Sequence, residues 1–237
     1  MKHLAVIIPF YQKKSGLLLN AVNSIFFQEN IDSINITIII INDESPIQPD
    51  KELLNREPVS HIDIQIIHQK NAGPAKARNV GLDLADSLNV DYIAFLDSDD
   101  IWHCDHIHRA LRCLEEVSEF YFCDHQRFDE GKSYFFENPY INNFLLTQKK
   151  DQSNFFTLES DLFFLHLIET YFCQTSTIVF CHKILNGLRF DETLTVAGED
   201  HLMWLHLVSQ CKKITLDVKV GVDYGEGVNI FTSSNHW

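Results

Sequence analysis

Asp97, Asp99 and Asp100 crowd three carboxylates into four residues, with Ser98 among them, directly after the apolar run Tyr92–Leu96. Their mutual repulsion is costly unless a cation or strong hydrogen-bond donors offset it. A divalent metal is the simplest answer. Hard oxygen ligands select Mg or Mn, and few protein groups suffice when substrate phosphate oxygens complete the shell. The competing use is structural: Asp99 or Asp100 caps a helix expected over about residues 103–117, while the others hold metal. A second acidic pair, Glu199-Asp200, opens another segment of helical spacing, where acids also complement the helix dipole. His103, His106 and His108 form no simple i, i+4 pair and are read as surface or packing residues. His236 is a candidate to approach the metal from the C-terminal end. Trp102 either packs beneath the acidic loop or stacks against a sugar, and its position in the sequence leaves both open.

The elements that carry these residues alternate in type. Leu4–Pro9 is a short buried-type strand, and Leu17, Leu18, Ala21, Val22, Ile25 and Phe26 then recur at helical spacing. Ile36–Ile41, Ile62–Ile67 and Tyr92–Leu96 are further strands. Gly73 and Pro74 start a helix whose apolar face is Ala77, Gly81, Leu84 and Leu88. Such alternation predicts an α/β fold with a mostly parallel sheet covered on both faces, its ligands gathered where the carboxyl ends of the strands open. Asp43, Asn71 and Asp97–Asp100 each follow a strand and are expected at that one crevice. Beyond residue 103 the pattern is less regular: a strand over Thr175–Phe180, a helix over Glu199–Cys211 and a strand over Ile214–Val222. The aromatic-rich stretch of about 124–160, with Tyr134, Phe135, Phe136, Tyr140 and Phe144, reads as a core-packing excursion or as a lip for an acceptor or a membrane surface.

The 237 residues, 45% hydrophobic and 22% charged, suit one compact domain with a sizeable core. A formal charge of -14 excludes a non-specific nucleic-acid binder, which needs clustered Lys and Arg. The six scattered cysteines include no CxxC pair and are read as reduced, mostly buried thiols. No signal peptide or membrane-spanning run is visible, so a cytoplasmic location is expected. A dinucleotide-dependent oxidoreductase would need a glycine-rich turn after the first strand. Pro9-Phe10-Tyr11-Gln12-Lys13-Lys14 supplies none, and a sugar-1-phosphate nucleotidyltransferase likewise calls for a Gly-rich N-terminal loop.

Five segments, in order, resemble the inverting nucleotide-sugar glycosyltransferases of family 2, which have the GT-A fold. They are Ile7-Ile8-Pro9-Phe10-Tyr11, Asn42-Asp43-Glu44-Ser45, the block Asn71–Gly81, Asp97-Ser98-Asp99-Asp100 and Gly198-Glu199-Asp200. The resemblance spans nearly the whole chain. It implies one GT-A domain over residues 1–237, with a nucleotide-sugar half (1–102) and an acceptor half (103–237). It implies that Pro9 and Tyr11 flank the base and that Asp43 accepts a hydrogen bond from uracil N3–H. Asn71, Gly73 and Arg78 then serve the ribose, phosphate or donor sugar, together with Ser98. Asp97 touches ribose or sugar and shares the Mn or Mg site with Asp99. Asp200 is implied as the base that deprotonates a glycan or lipid-linked acceptor hydroxyl, with Glu199 as its competitor.

The chain departs from the family at Asn42 and Glu44, where Asp and Gly are common; Glu adopts positive φ less cheaply than Gly. Tyr224-Gly225-Glu226-Gly227-Val228-Asn229 resembles the family's segment after the last strand. Many relatives continue further, so an acceptor-binding, oligomerising or membrane-associating region is expected past Trp237, and with it peripheral attachment at the inner face of the membrane. The rival from another class is a catalytically silent nucleotide-sugar-binding module on the same fold.

Overall fold

The computed structural model describes residues 1–54, 59–127, 131–148 and 154–225. Its elements run β1 (Lys2–Phe10), α1 (Leu17–Phe26), β2 (Ile34–Asp43), α2 (Pro49–Leu53), β3 (Ile62–Gln69), α3 (Pro74–Leu88) and β4 (Tyr92–Phe95). There follow β5 (Ile101–Trp102), α4 (His106–Glu116), β6 (Phe120–Arg127), α5 (Tyr134–Glu137), α6 (Pro139–Gln148), β7 (Phe155–Glu159), α7 (Ser160–Glu169), β8 (Ile178–Cys181), α8 (Glu199–Gln210) and β9 (Lys213–Tyr224). Among the described residues the strands make one nine-stranded sheet in the order β3-β2-β1-β4-β8-β6-β9-β5, with β7 paired to β9. Strands β1 to β4 are mutually parallel, and β6 is parallel to β9. β8 runs antiparallel to both β4 and β6, as β5 and β7 do to β9. This is the mostly parallel α/β sheet flanked by helices that the alternation of elements implied.

The two-residue period of β1 and β2 decides which helices lie on which face. Leu4, Val6, Ile8 and Phe10, with Ile36, Ile38 and Ile40, pack against α1 and against Ile107 and Ala110 of α4. Ala5 and Ile7, with Ile39 and Ile41, pack instead against α3 and against Trp204 and Leu207 of α8. Both faces are therefore covered, which is why these strands read as unbroken apolar runs. The chain passes from β1 to β2 and β3 on one side and returns to β4 on the other. Such a reversal opens a crevice at the carboxyl ends of β1 and β4.

The second half departs from the expectations. The helix expected over 103–117 starts only at His106, because Ile101 and Trp102 pair with β9 first; neither Asp99 nor Asp100 caps it. Thr175–Thr177 forms a 3₁₀ turn rather than strand, and β8 begins at Ile178. In the aromatic-rich stretch Phe135 is buried, while Phe136 is 55% exposed. Trp102 packs beneath the acidic loop, its Nε1 donating to the Ser176 carbonyl at 2.7 Å and its ring 4.7 Å from that of His106.

Gly81 lets α3 approach the sheet: a Cβ there would overlap the Ile7 side chain. An open helical site would gain about 1 kcal/mol on Gly→Ala. Here overpacking costs about 1–3 kcal/mol, the larger effect. Gly81→Ala is expected to lower Tm by several degrees in a thermal melt, and a rise would show that α3 does not lean on Ile7.

Candidate active site

A cavity of about 960 Å³ opens at the carboxyl end of the sheet. Pro9 reaches it from β1, Arg78 from α3, Asp97–Asp100 from the loop after β4, and Glu199 and Asp200 from the first turn of α8. Residues a hundred positions apart thus share one wall. Of the residues singled out in the sequence, Tyr11, Asp43, Asn71 and Gly73 do not line this cavity. They lie at or just beyond the ends of β1, β2 and β3.

Arg78 is the centre of the charge arrangement. Its side chain is 6% exposed; Nη2 donates to Asp97 Oδ1 at 2.9 Å and Nη1 to Glu199 Oε1 at 3.1 Å. Its guanidinium also lies over the Phe190 ring, 5.5 Å from the centroid. Burial alone would push its pKa down. Asp97, Glu199 and Asp200 more than reverse that and hold the group charged. Helix α3 can present Arg78 here because Gly73, at φ 89, admits the entry turn and Pro74 starts the helix.

The three aspartates of the acidic loop have separate fates. Asp100 is fully buried: Gln174 Nε2 donates to Oδ2 at 2.9 Å, Ser176 Oγ donates to the same oxygen, and the Gly225 N–H donates to Oδ1 at 2.8 Å. Burial, with Asp99 and Asp97 adding like charge, raises its pKa well above the usual carboxylate range. Any Cβ at position 225 would overlap the Asp99 carbonyl, so the end of β9 holds the loop from the other side. Asp97 and Asp99 are only partly buried and face the cavity. The parts of Gln174 and Ser176 were not legible beforehand, since polar residues at separations of 74 and 76 carry no local signature, while Gly225 fell in a segment resembling the family without its contact being readable.

Glu199 and Asp200 are adjacent yet differ in kind. Burial raises the Glu199 pKa against the opposing pull of Arg78. Asp200 accepts from the Tyr171 hydroxyl at 2.6 Å and from the His201 N–H at 2.7 Å. The wall beyond carries His125, which stacks on Tyr134 with centroids 4.6 Å apart. Burial pushes the His125 pKa down to about 4, so the ring is neutral at physiological pH.

Asp43 serves the loop ahead of α3. Its Oδ1 accepts from Gln69 Nε2 at 2.7 Å and from the Ala72 N–H at 2.9 Å, while Oδ2 accepts from the Gly73 N–H at 2.9 Å. Its side chain has no exposed surface. Asn71 Nδ2 donates to the Asp43 carbonyl at 3.0 Å. Glu44 sits at φ 59, the left-handed conformation that glycine takes more cheaply, so the loop path is kept at a local cost. Ser98 Oγ accepts from Gln12 Nε2 at 2.9 Å.

Among the described residues no three His, Cys, Asp or Glu side chains converge into a protein-only metal cage. His103, ahead of α4, pairs with Asp223 at 3.0 Å and His106 is fully buried, and neither lines the cavity. The donor set facing the cavity is hard oxygen: Asp99, and the Asp97 oxygen not bonded to Arg78. That set fits Mg or Mn, which take one or two carboxylates and complete their shell with phosphate and water. His236 and residues 226–229 lie outside the described residues. Among the described residues no helix is long and apolar enough to cross a membrane.

Known proteins resemble the chain at both levels. The sequence pattern of the family described as glycosyl transferase family 2 matches residues 5–177. The succinoglycan biosynthesis protein ExoW of Rhizobium meliloti is 33% identical over 235 residues, covering 98% of this chain and 72% of that protein. An uncharacterized glycosyltransferase of Rickettsia felis is 29% identical over 237 residues; the alignment covers 99% of this chain and only 35% of the Rickettsia protein. Among solved structures, S. aureus TarS 1-349 in complex with UDP-GlcNAc superposes with a TM-score of 0.69 at 20% identity, covering 99% of this chain and 62% of that one. The chain belongs to glycosyltransferase family 2, and its fold is that of the GT-A glycosyltransferases.

Replacing Arg78 by Met leaves Glu199 and Asp97 without their cation, and breaking a buried pair typically costs about 3–5 kcal/mol. Burial already holds the Glu199 pKa above its ordinary value, and losing Arg78 raises it further. The variant's penalty is therefore greatest above that pKa and shrinks as the pH falls through it. Thermal melts of both proteins from pH 8 to pH 5 should show the Tm gap closing. A gap that widens towards acid would contradict the arrangement.

Proposed function

Membership of glycosyltransferase family 2 is the premise from which we propose that this chain moves a sugar from a UDP-linked donor to a hydroxyl of a glycan or lipid-linked acceptor. The anomeric carbon inverts in one in-line displacement, in the assembly of a surface polysaccharide. The observation that carries the reading is that Asp99 and Asp200, from different elements, line one cavity, with Arg78 joining Asp97 to Glu199 beside them. That ExoW is named for succinoglycan biosynthesis supports the polysaccharide setting. The reading puts the enzyme in the cytoplasm, at the inner face of the membrane.

On this reading Pro9, Arg78, Asp97 and Ser98 hold the donor directly. Tyr11, Asn71 and Gly73 border the uracil end, and Asp43 shapes that end by fixing the Ala72–Gly73 backbone. A divalent cation, when bound by Asp99 and the remaining Asp97 oxygen, neutralises charge developing on the departing diphosphate. Asp200 takes the proton of the attacking hydroxyl. Glu199 is committed to Arg78, so it is the weaker candidate for that task. The N-terminal amides of α3 and α8 are further anion donors near the cavity.

Release of the nucleoside diphosphate from UDP-, GDP- and dTDP-sugars is to be compared with and without Mn or Mg. UDP-sugars with metal are expected to turn over, and metal-dependent binding without any turnover would make the chain a silent binding module. Asp200→Asn should lower transfer by roughly 10²–10⁴-fold with UDP affinity retained. Asp99→Ala should abolish the metal-dependent part of the UDP thermal shift. Unimpaired transfer in Asp200→Asn would remove the assigned base.

A further inference from the structure

Tyr171 follows α7 and appears in none of the family segments, yet its hydroxyl donates to Asp200 Oδ2 at 2.6 Å. The second oxygen, Oδ1, takes the N–H of His201 at 2.7 Å. An ionised carboxylate offers about four lone-pair sites, so each oxygen keeps room for a substrate proton while its direction is set by a fixed donor. The tyrosine is itself held. Its carbonyl accepts from the Tyr134 hydroxyl at 3.0 Å, and its ring lies 5.6 Å from that of His201. Tyr134 in turn stacks on His125. A run of contacts thus leads from the aromatic-rich stretch to the first turn of α8. Both Tyr171 and Asp200 line the cavity.

Resting on the assignment of Asp200 as base, we infer that Tyr171 is a positioning residue that orients the Asp200 carboxylate through a hydroxyl hydrogen bond. A charge-assisted hydrogen bond is short and strong enough to fix that direction. Burial and the Asp200 carboxylate push the tyrosine's own pKa well up, which keeps the phenol protonated as a donor. In the reaction the acceptor O–H breaks and its proton passes to Asp200. The acceptor oxygen bonds to C1, and the C1–O bond to the diphosphate breaks with its electron pair leaving on UDP. Tyr171 keeps its proton throughout. The other charged or titratable groups facing the pair are Arg78, Glu199, Asp97 and Cys173, which act on it through space, and His201.

The test is Tyr171→Phe, which keeps the ring and its packing and removes only the donor. UDP release with water as acceptor is measured against pH, with Mn present, for UDP-glucose, UDP-galactose and UDP-N-acetylglucosamine. The fastest donor is carried forward, and Asp200→Asn is measured alongside. A lost hydrogen bond to a charged group is expected to lower kcat roughly tenfold to a hundredfold. Donor KM and Tm should be nearly unchanged. A lowered Tm, or a donor KM raised in step with the rate loss, would reduce Tyr171 to a structural residue, and an unaltered rate would remove it from the site; either result overturns the inference while leaving the base assignment intact if Asp200→Asn is inactive. An active Asp200→Asn, or a parent protein that turns over none of the three donors, overturns the base assignment and this inference together.

Discussion

A guanidinium cannot shed its charge, and Arg78 is almost wholly withdrawn from water; this constraint organises the site. The charge must be met by carboxylates that come to it. Asp97, 19 residues on, and Glu199, 121 residues on, do so, and their meeting joins the loop after β4 to the start of α8. Glu199 and Arg78, both withdrawn from water, each depend on the other, and Asp97 meets the cation from the cavity side. Mutual dependence of this kind defines one geometry, because every alternative leaves a buried charge unpaired.

Arg78 can occupy that point only because α3 is set on the sheet at the right height and angle. Its entry is held by Asp43, whose carboxylate takes the backbone N–H groups of Ala72 and Gly73. Its depth is set by Gly81 against Ile7. The cost of Glu44 at φ 59 belongs to the same support, since the turn after β2 brings Asp43 under the loop. Part of the acidic and polar chemistry around the crevice is thus spent on holding backbone in place.

Neighbouring carboxylates take different roles through their surroundings rather than their type. Asp100 is enclosed by Gln174, Ser176 and Gly225 and anchors the loop, while Asp97 and Asp99 beside it face the cavity. Glu199 is committed to Arg78, and Asp200 turns towards Tyr171. In both pairs a single step along the chain separates an acid bound into the support of the site from one assigned to a ligand.

The first four strands, α3 and the identity of the acidic segments were legible in the sequence, because each depends on periodicity or on residues adjacent in the chain. Ile7 and Ile39 alternate to one face, Pro74 opens a helix, and Asp97–Asp100 crowd together whatever surrounds them. The capping role offered for Asp99 or Asp100 failed, since Ile101 and Trp102 are drawn into pairing with β9, a partner about 120 residues away. Thr175–Thr177 became a tight turn in which the Ser176 N–H donates to the Gln174 side chain, and Tyr171 and Ser176 gave no sign of their part. Local order follows from sterics and hydrophobic pattern, which act over a few residues. Which carboxylate is buried, which is paired and which is left to react depends on donors that only the folded chain brings within hydrogen-bonding distance, and tertiary structure alone decided that.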